Sequence, residues 1–107
     1  SGCILQTEKG GKIMFDGQKY LTRGVKSRIS IALQLFMWEC ICKMPVKKDY
    51  LQVFQFAEEN GMQKIVHSQE QPRYERTYFL QTEQPFNEKV YCIDDETHAT
   101  MLLAEEY

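Results

Sequence analysis

The chain has 107 residues, of which 43% are apolar and 26% are charged, and its formal net charge is -2. This length and balance are typical of one globular domain and exclude a second one. The longest apolar stretch, residues 29–44, is too short to span a bilayer and contains Glu39 and Lys43. The first fifteen residues lack the apolar core of a signal peptide, so we expect a cytoplasmic protein without a membrane segment.

Residues 1–13 look foreign to the domain. The sequence KGGKIM, which ends at Met14, is what translation of an AAAGGAGG ribosome-binding site, a short spacer and an ATG would produce, and the first two residues resemble a tag remnant. We therefore predict a tag remnant and mistranslated leader over residues 1–13, and a single globular domain over residues 14–107. The alternative is that residues 3–5 form a genuine strand at a sheet edge.

After this leader come a short strand pattern and then the one long helical pattern of the chain. Residues 19–22 are a strand candidate, and a basic loop that follows Arg23 and Gly24 leads to a helix predicted over residues 31–43. Ser30 is the expected N-cap, and the proline at position 45 prevents the helix from continuing.

The predicted helix is apolar around most of its circumference. Two apolar lines follow helical spacing, which leaves four polar residues for contact with water. The first line is Ile29, Leu33, Phe36, Met37, Cys40, Ile41 and Met44, the second is Ile31, Leu35, Trp38 and Cys42, and the polar residues are Ser30, Gln34, Glu39 and Lys43. Such a helix must be covered on most sides, so we expect a curved sheet or a second subunit to pack on it, with the tryptophan largely buried.

The remainder of the chain predicts strands separated by turns. The strongest local signal is the dipeptide Asn60-Gly61, because both central residues of a type I′ hairpin turn need a positive φ. The strand candidates are residues 49–57, 62–68, 74–81, 89–93 and 100–103.

The first strand of the predicted hairpin carries apolar side chains on both faces, with Leu51 and Val53 on one and Phe54 and Phe56 on the other. Either both faces of the sheet are covered, or a β-bulge switches the register of the strand. We predict an α+β fold in which one central helix packs on a curved, mainly antiparallel sheet of five or six strands.

Several strings together resemble a known family. They are MF followed by KYLTRGV, LQLFMWECI, DYLQVFQF, QKIVHSQEQP and the closing KVYCIDDETHATMLLAEEY. They are similar to the small Firmicutes family called domain of unknown function 960, over residues 14–107 almost without gaps. The resemblance implies a cytoplasmic accessory protein of phages, plasmids or chromosomal cassettes, and it brings no assigned catalytic residue.

No group of residues has the spacing of a catalytic or metal site. His67 lies on a strand candidate, where packing is commoner than catalysis, and His98 follows an acidic turn at residues 94–96 that lacks EF-hand spacing. Cys92 is expected to be buried with Val90. We therefore predict no catalytic, cofactor-binding or metal-binding residue and no enzymatic activity.

Charge is unevenly distributed along the chain. Residues 1–53 hold nine Lys or Arg against four Asp or Glu, whereas residues 54–107 hold four against eleven. Residues 17–38 contain no acid at all, and their cations form what we call the basic segment: Lys19, Arg23, Lys26 and Arg28. This segment either meets phosphates or an acidic partner, or it pairs internally with the acidic C-terminus at residues 94–107.

Two hypotheses for the function remain. The first is a non-enzymatic accessory or interaction protein of a mobile element, monomeric or a small homo-oligomer, that binds a protein encoded by the host or the element. The second is a nucleic-acid-associated accessory factor that uses the basic segment. The overall acidity and the lack of a recognition helix favour the first hypothesis.

Overall fold

A computed structural model describes Phe15 and residues 17–107 of the chain. The predicted leader and the predicted boundary before Met14 lie outside the described residues. The described part forms one six-stranded sheet, two α-helices and a C-terminal 3₁₀ turn. The elements are β1 (Gln18–Leu21), α1 (Arg23–Arg28), α2 (Ile31–Cys42), β2 (Leu51–Glu59), β3 (Met62–Gln69), β4 (Tyr74–Leu80), β5 (Glu88–Asp94), β6 (His98–Leu103) and the 3₁₀ turn (Ala104–Glu106).

The strands lie in the order β1-β6-β5-β2-β3-β4. Every neighbouring pair is antiparallel except β1 and β6, which run parallel with Gln18 opposite His98. This arrangement confirms the predicted α+β fold with a mainly antiparallel sheet of six strands.

The hairpin between β2 and β3 turns at the predicted residues. Asn60 has a φ of 53° and Gly61 a φ of 79°, and the strands close on the pair Glu59 and Met62. The positive φ of both central residues confirms the sequence signal for a type I′ turn.

The register of β2 is regular along its whole length. Phe54 and Phe56 are fully buried on the face that carries the helices, and Leu51 and Val53 are half-buried on the opposite face. Because β2 pairs without interruption with both β3 and β5, the bulge alternative is wrong. Apolar residues therefore lie on both faces of the sheet.

Helix α2 begins where the sequence predicts. The Ser30 side chain accepts a hydrogen bond from the backbone N–H of Leu33 at 3.2 Å, which satisfies one of the free amides of the first turn. The helix ends at Cys42, one residue before the predicted end. Its inner side packs Met37 and Ile41 on the sheet, in a core shared with both helices.

Helix α1 was not predicted, because residues 23–28 read as a basic loop. The Thr22 hydroxyl accepts a hydrogen bond from the Val25 backbone N–H at 3.4 Å, and Val25 is the one buried residue of the helix. With a single buried side chain and Gly24 inside it, the segment has no helical hydrophobic period for sequence reasoning to detect.

The core lies between the helices and one face of the sheet. Val90 and Cys92 are fully buried there, as expected from the alternation along β5. No helix in the described part of the chain is long and apolar enough to cross a membrane.

Candidate functional site

The outer side of α2 exposes a line of large apolar residues, which we call the α2 stripe: Ile31, Leu35 and Trp38. Ile31 is 72% and Leu35 is 62% exposed, whereas Trp38 is half-buried. The spacing of four and three residues places all three on one side of the helix. Within the described part of this chain, the sheet therefore covers only the inner side of the helix, and cover by a second subunit stays a prediction.

The same helix buries a polar residue that was expected in water. Gln34 is 7% exposed, and its side-chain amide donates a hydrogen bond to the Ile29 carbonyl at 2.8 Å. This bond compensates the amide for the loss of water. The sequence showed both apolar lines of the helix, but it did not show which of them faces outward.

One cation lies against the α2 stripe. The Lys19 ammonium lies 5.7 Å from the centroid of the Trp38 ring, within cation–π range. The first turn of α2 contains no acidic residue, so the positive end of the helix dipole is uncompensated within that turn. Further along, Glu39 forms an ion pair with Lys43 at 3.2 Å, and the two charges cancel.

The structure divides the basic segment into engaged and free cations. Lys19 donates hydrogen bonds to the carbonyls of Phe15 and Gly17 at 3.2 and 3.4 Å. Arg23 and Lys26 are exposed on α1 and make no ion pair with any described residue.

Arg28 is the member of the basic segment that pairs with the acidic part of the chain. Its guanidinium lies 3.2 Å from the Glu88 carboxylate and 3.3 Å from that of Glu105, and these two acids raise the pKa of Arg28, Glu105 most. The internal pairing that the sequence suggested thus exists for Arg28.

Glu106, near the C-terminus, forms hydrogen bonds with the start of α1. The Glu106 carboxylate accepts hydrogen bonds from the Thr22 hydroxyl at 2.6 Å, from the Leu103 backbone N–H at 2.9 Å and from the Gly24 backbone N–H at 3.1 Å. These bonds, that from Thr22 first, lower the pKa of Glu106. A Cβ atom at Gly24 would lie 2.7 Å from this carboxylate, so a larger residue at this position would displace the Glu106 side chain.

His67 belongs to a chain of buried polar side chains under the loop that precedes β2. Its Nε2 lies 2.7 Å from the Gln52 side-chain oxygen, and the Gln52 amide donates to the Gln69 side-chain oxygen at 2.6 Å. Gln69 in turn accepts from the Asp49 backbone N–H at 2.8 Å and donates to the Lys47 carbonyl at 2.9 Å. The network therefore holds this loop against the ends of β2 and β3.

The His67 imidazole is a neutral group in the core. Its ring stacks on Phe54 with centroids 4.3 Å apart, it is fully buried, and its Nδ1 atom has no hydrogen-bond partner. Burial lowers the pKa of His67 to about 4. The interpretation of this histidine as a packed residue agrees with that environment.

A shallow pocket of about 250 Å³ opens beside this network, between the end of β3 and the start of β4. It contains both signs of charge, since Arg73 lies 3.8 Å from Glu75. The pocket is lined by Ser68, Gln69, Glu70, Arg73, Tyr74 and Glu75. The Gln69 amide is already bonded to the carbonyls of Lys47 and Pro72, so it is not available to a ligand in this pocket.

His98 is the first residue of β6 and follows a polar turn. The Asp95 carboxylate accepts hydrogen bonds from the backbone N–H groups of Thr97 and His98 at 3.1 and 2.9 Å, and the His98 backbone bond contributes most to a lowered pKa of Asp95. The same carboxylate lies 3.2 Å from His98 Nε2. Among the described residues, no three His, Cys, Asp or Glu side chains converge as metal ligands.

The fold and these environments define a small α+β protein with an apolar helix stripe as its most distinctive surface. The chain belongs to the family described as Staphylococcal protein of unknown function, domain of unknown function 960, which matches residues 18–106. This match confirms the family to which the sequence motifs pointed.

One solved structure supports the fold independently. A crystal structure described as a protein of unknown function from Enterococcus faecalis is similar, with a TM-score of 0.72 and 24% sequence identity over 91% of this chain and 96% of that one. At this identity the likeness establishes the fold alone. A comparison with curated proteins finds no match.

Proposed function

We propose that this protein is a non-enzymatic accessory protein that acts by binding another protein, with the α2 stripe at the centre of its binding site. The observation that carries the proposal is the exposure of Ile31 and Leu35, at 72% and 62%, on a helix whose opposite side is packed in the core. Adjacent exposed aliphatic side chains on one helix face are typical of surfaces that recognise other proteins.

The surrounding charges favour a partner with acidic residues beside an apolar segment. Lys19 lies against Trp38, and α1, which precedes α2 by two residues, contributes the free cations Arg23 and Lys26. Apolar residues of the partner would cover the stripe, and its Asp or Glu side chains would meet these cations at the rim. A partner with basic flanks would be repelled by the same charges.

We propose that the protein is located in the cytoplasm and is an accessory protein of a phage, a plasmid or a chromosomal cassette. This part of the proposal rests on the resemblance of the sequence to its family. The absence of an enzymatic step is likewise proposed, and it is supported by the engagement of both histidines: His67 is packed in the core, and His98 is bonded within its turn.

The alternative role, association with nucleic acid through the basic segment, has less support. Arg23 and Lys26 are free to meet phosphates, but Arg28 is paired with Glu88 and Glu105. Tyr20, the one aromatic residue of the segment, lies edge-on to His98 at 4.9 Å, on the sheet face opposite the helices. No stacking platform therefore accompanies the free cations.

The proposal is tested by affinity capture from a lysate of the native host, with and without nuclease. Leu35→Asp places a charge in the stripe at an exposed position, so it should preserve the fold and abolish capture of the partner. Gln81→Asp, at an exposed position in the loop that follows β4, is the matched control and should leave capture intact. Capture that survives Leu35→Asp, or that nuclease removes, would contradict the proposal.

A further inference from the structure

The face of the sheet that points away from the helices, here called the open face, has an apolar centre. Alternation along the strands places these residues on one face, where all but Val66 are direct cross-strand or same-strand neighbours of another member, and Val66 lies diagonally across from Val53. The apolar centre consists of Leu51, Val53, Val66, Tyr91, Ile93 and Leu102.

Both helices pack on the other face, so the open face has no helical layer over it within the described part of the chain. The buried residues of α1 and α2 share one cluster with Phe54 and Phe56 on that other face. Of the C-terminal residues, Tyr107 reaches the open face and stands edge-on to Tyr91 at 5.4 Å. A one-layer sheet normally alternates polar residues on its free face, and the apolar centre departs from that pattern.

We propose that a second copy of this chain packs its open face on this one, so that the two sheets form a two-fold sandwich with the helices outside. The regular register of β2 leaves a covered second face as the remaining explanation for Leu51 and Val53. Sheets that stack in this way bury the apolar residues of both inner faces about 10 Å apart.

The area of the open face suits a stable dimer. Six strands about 4.8 Å apart, with about seven residues each rising about 3.3 Å, present roughly 600 Å². Standard interfaces bury about 800 Å² per partner, which is the same order. The α2 stripe covers only about 200 Å², from about 18 Å of helix that is about 10 Å wide, so it is too small to hold two copies together alone.

The charges on the open face also suit a second copy. Its strands carry two acids and two bases, and Glu59 and Lys64 form an ion pair at 3.1 Å. The other two, Glu75 and Lys89, have opposite signs, so a two-fold contact would bring no net like charge together. Two α2 stripes facing each other would instead bring together two surfaces that each carry the Lys19 ammonium beside Trp38.

The test is the molar mass of the full chain in solution, measured by sedimentation over a range of micromolar concentrations. We expect twice the 12.6 kDa of one chain. Val53→Asp, in the middle of the open face, should give a monomer, whereas Ile31→Asp, on the α2 stripe, should remain a dimer. Circular dichroism of each variant checks that it is folded.

If Val53→Asp does not fold, Val53→Thr replaces one methyl group by a hydroxyl at nearly constant volume. It should raise the dimer dissociation constant at least about tenfold, because the change occurs on both sides of the two-fold contact. A monomeric wild-type chain at every concentration would overturn the proposal. So would a dimer that Ile31→Asp dissociates, or one that both Val53 variants leave unchanged.

Discussion

At the scale of single residues, the least expected feature is the number of polar side chains in the core. Gln52, His67 and Gln69 are each no more than 5% exposed and hydrogen bond in one chain. Alternation along β2 could have placed Gln52 inside, because it shares a face with Phe54. The bond that stabilises it there joins residues of two strands, and no local pattern shows such a pair.

Acidification should destabilise the protein through His67. The folded pKa is about 4 against an ordinary value of 6.5, so the unfolded chain binds more protons between these two values. Above pH 6.5, His67 is neutral in both states and does not lower the free energy of unfolding. As the pH drops from 6.5 toward 4, the free energy of unfolding falls by on the order of 3 kcal/mol. Urea titrations at a series of pH values measure this loss.

The matched variants for this prediction are His67→Gln and His98→Gln. His67→Gln removes the titrating group from the core, so its free energy of unfolding should change less between pH 6.5 and pH 4.5 than that of the wild type. His98→Gln alters the histidine at the start of β6, outside the core, and should keep the loss of stability on acidification that His67 causes. Equal pH dependence in the wild type and in His67→Gln would refute the role of His67.

At the scale of elements, α2 is a helix with two apolar sides and only one of them in the core. Ile41 is 1% exposed and Leu35 is 62% exposed. Ile41→Ala should lower the free energy of unfolding by about 2–5 kcal/mol, because it leaves a cavity over the sheet. Leu35→Ala should change it by no more than about 0.5 kcal/mol. Denaturant titration gives both values, and similar losses would show that the two sides are packed alike.

Helix α1 depends on a side chain from the other end of the chain. Glu106→Ala removes the acceptor for the Thr22 hydroxyl and the Gly24 and Leu103 amides, so hydrogen exchange at the start of α1 should speed up and the Tm should fall. The lowered pKa of Glu106 means that this stabilisation is present above the ordinary glutamate pKa and is lost as the pH falls through the folded value.

The matched control for this prediction is Glu105→Ala. Glu105 is exposed, and among the described residues its ion pair is with Arg28, which keeps Glu88 as a partner, so its loss should leave exchange at Gly24 unchanged. If Glu105→Ala and Glu106→Ala accelerate hydrogen exchange equally, the acceleration results from the loss of negative charge at the C-terminus, and the hydrogen bonds of Glu106 are not its cause.

The elements differ in how well the sequence predicts them, because some are determined by residues close in the sequence and others by contacts between distant segments. Strands β2 to β6 and helix α2 have strong periods, and their ends are marked locally by Ser30, Pro45 and Asn60-Gly61. Helix α1 has no period, and the Glu106 side chain that satisfies its first turn is 82 residues away from Gly24. A contact over that separation has no signature in either segment alone.

At the scale of the whole molecule, the uneven distribution of charge along the sequence suggested a role in nucleic-acid binding. The pairing of Arg28 with Glu88 and Glu105 reduces the support for that role. We expect binding to duplex or single-stranded nucleic acid no tighter than the roughly 10⁻⁴ to 10⁻⁶ M of non-specific association at physiological salt. Fluorescence anisotropy measures it. A submicromolar complex that weakens steeply with salt and is lost on replacing Arg23 and Lys26 by alanine would place the nucleic-acid hypothesis first.

The candidate site was predictable in part. The second apolar line of α2, which includes Ile31 and Leu35, and the run of cations without acids are visible in the sequence. Which line faces outward was not, because it depends on the side of the helix that the sheet covers, and that is decided by Phe54, Ile65 and the rest of the core. The pairing of Arg28 with Glu88, 60 residues later, was equally hidden.

Photo-crosslinking from the α2 stripe tests most directly whether this surface binds another protein. A benzophenone amino acid at position 35 in the full chain, irradiated in a lysate of the native host, should form a covalent adduct with one other protein. Mass spectrometry should place the attachment in an apolar segment flanked by Asp or Glu. Adducts confined to nucleic acid, to a basic segment or to a second copy of this chain would contradict the account.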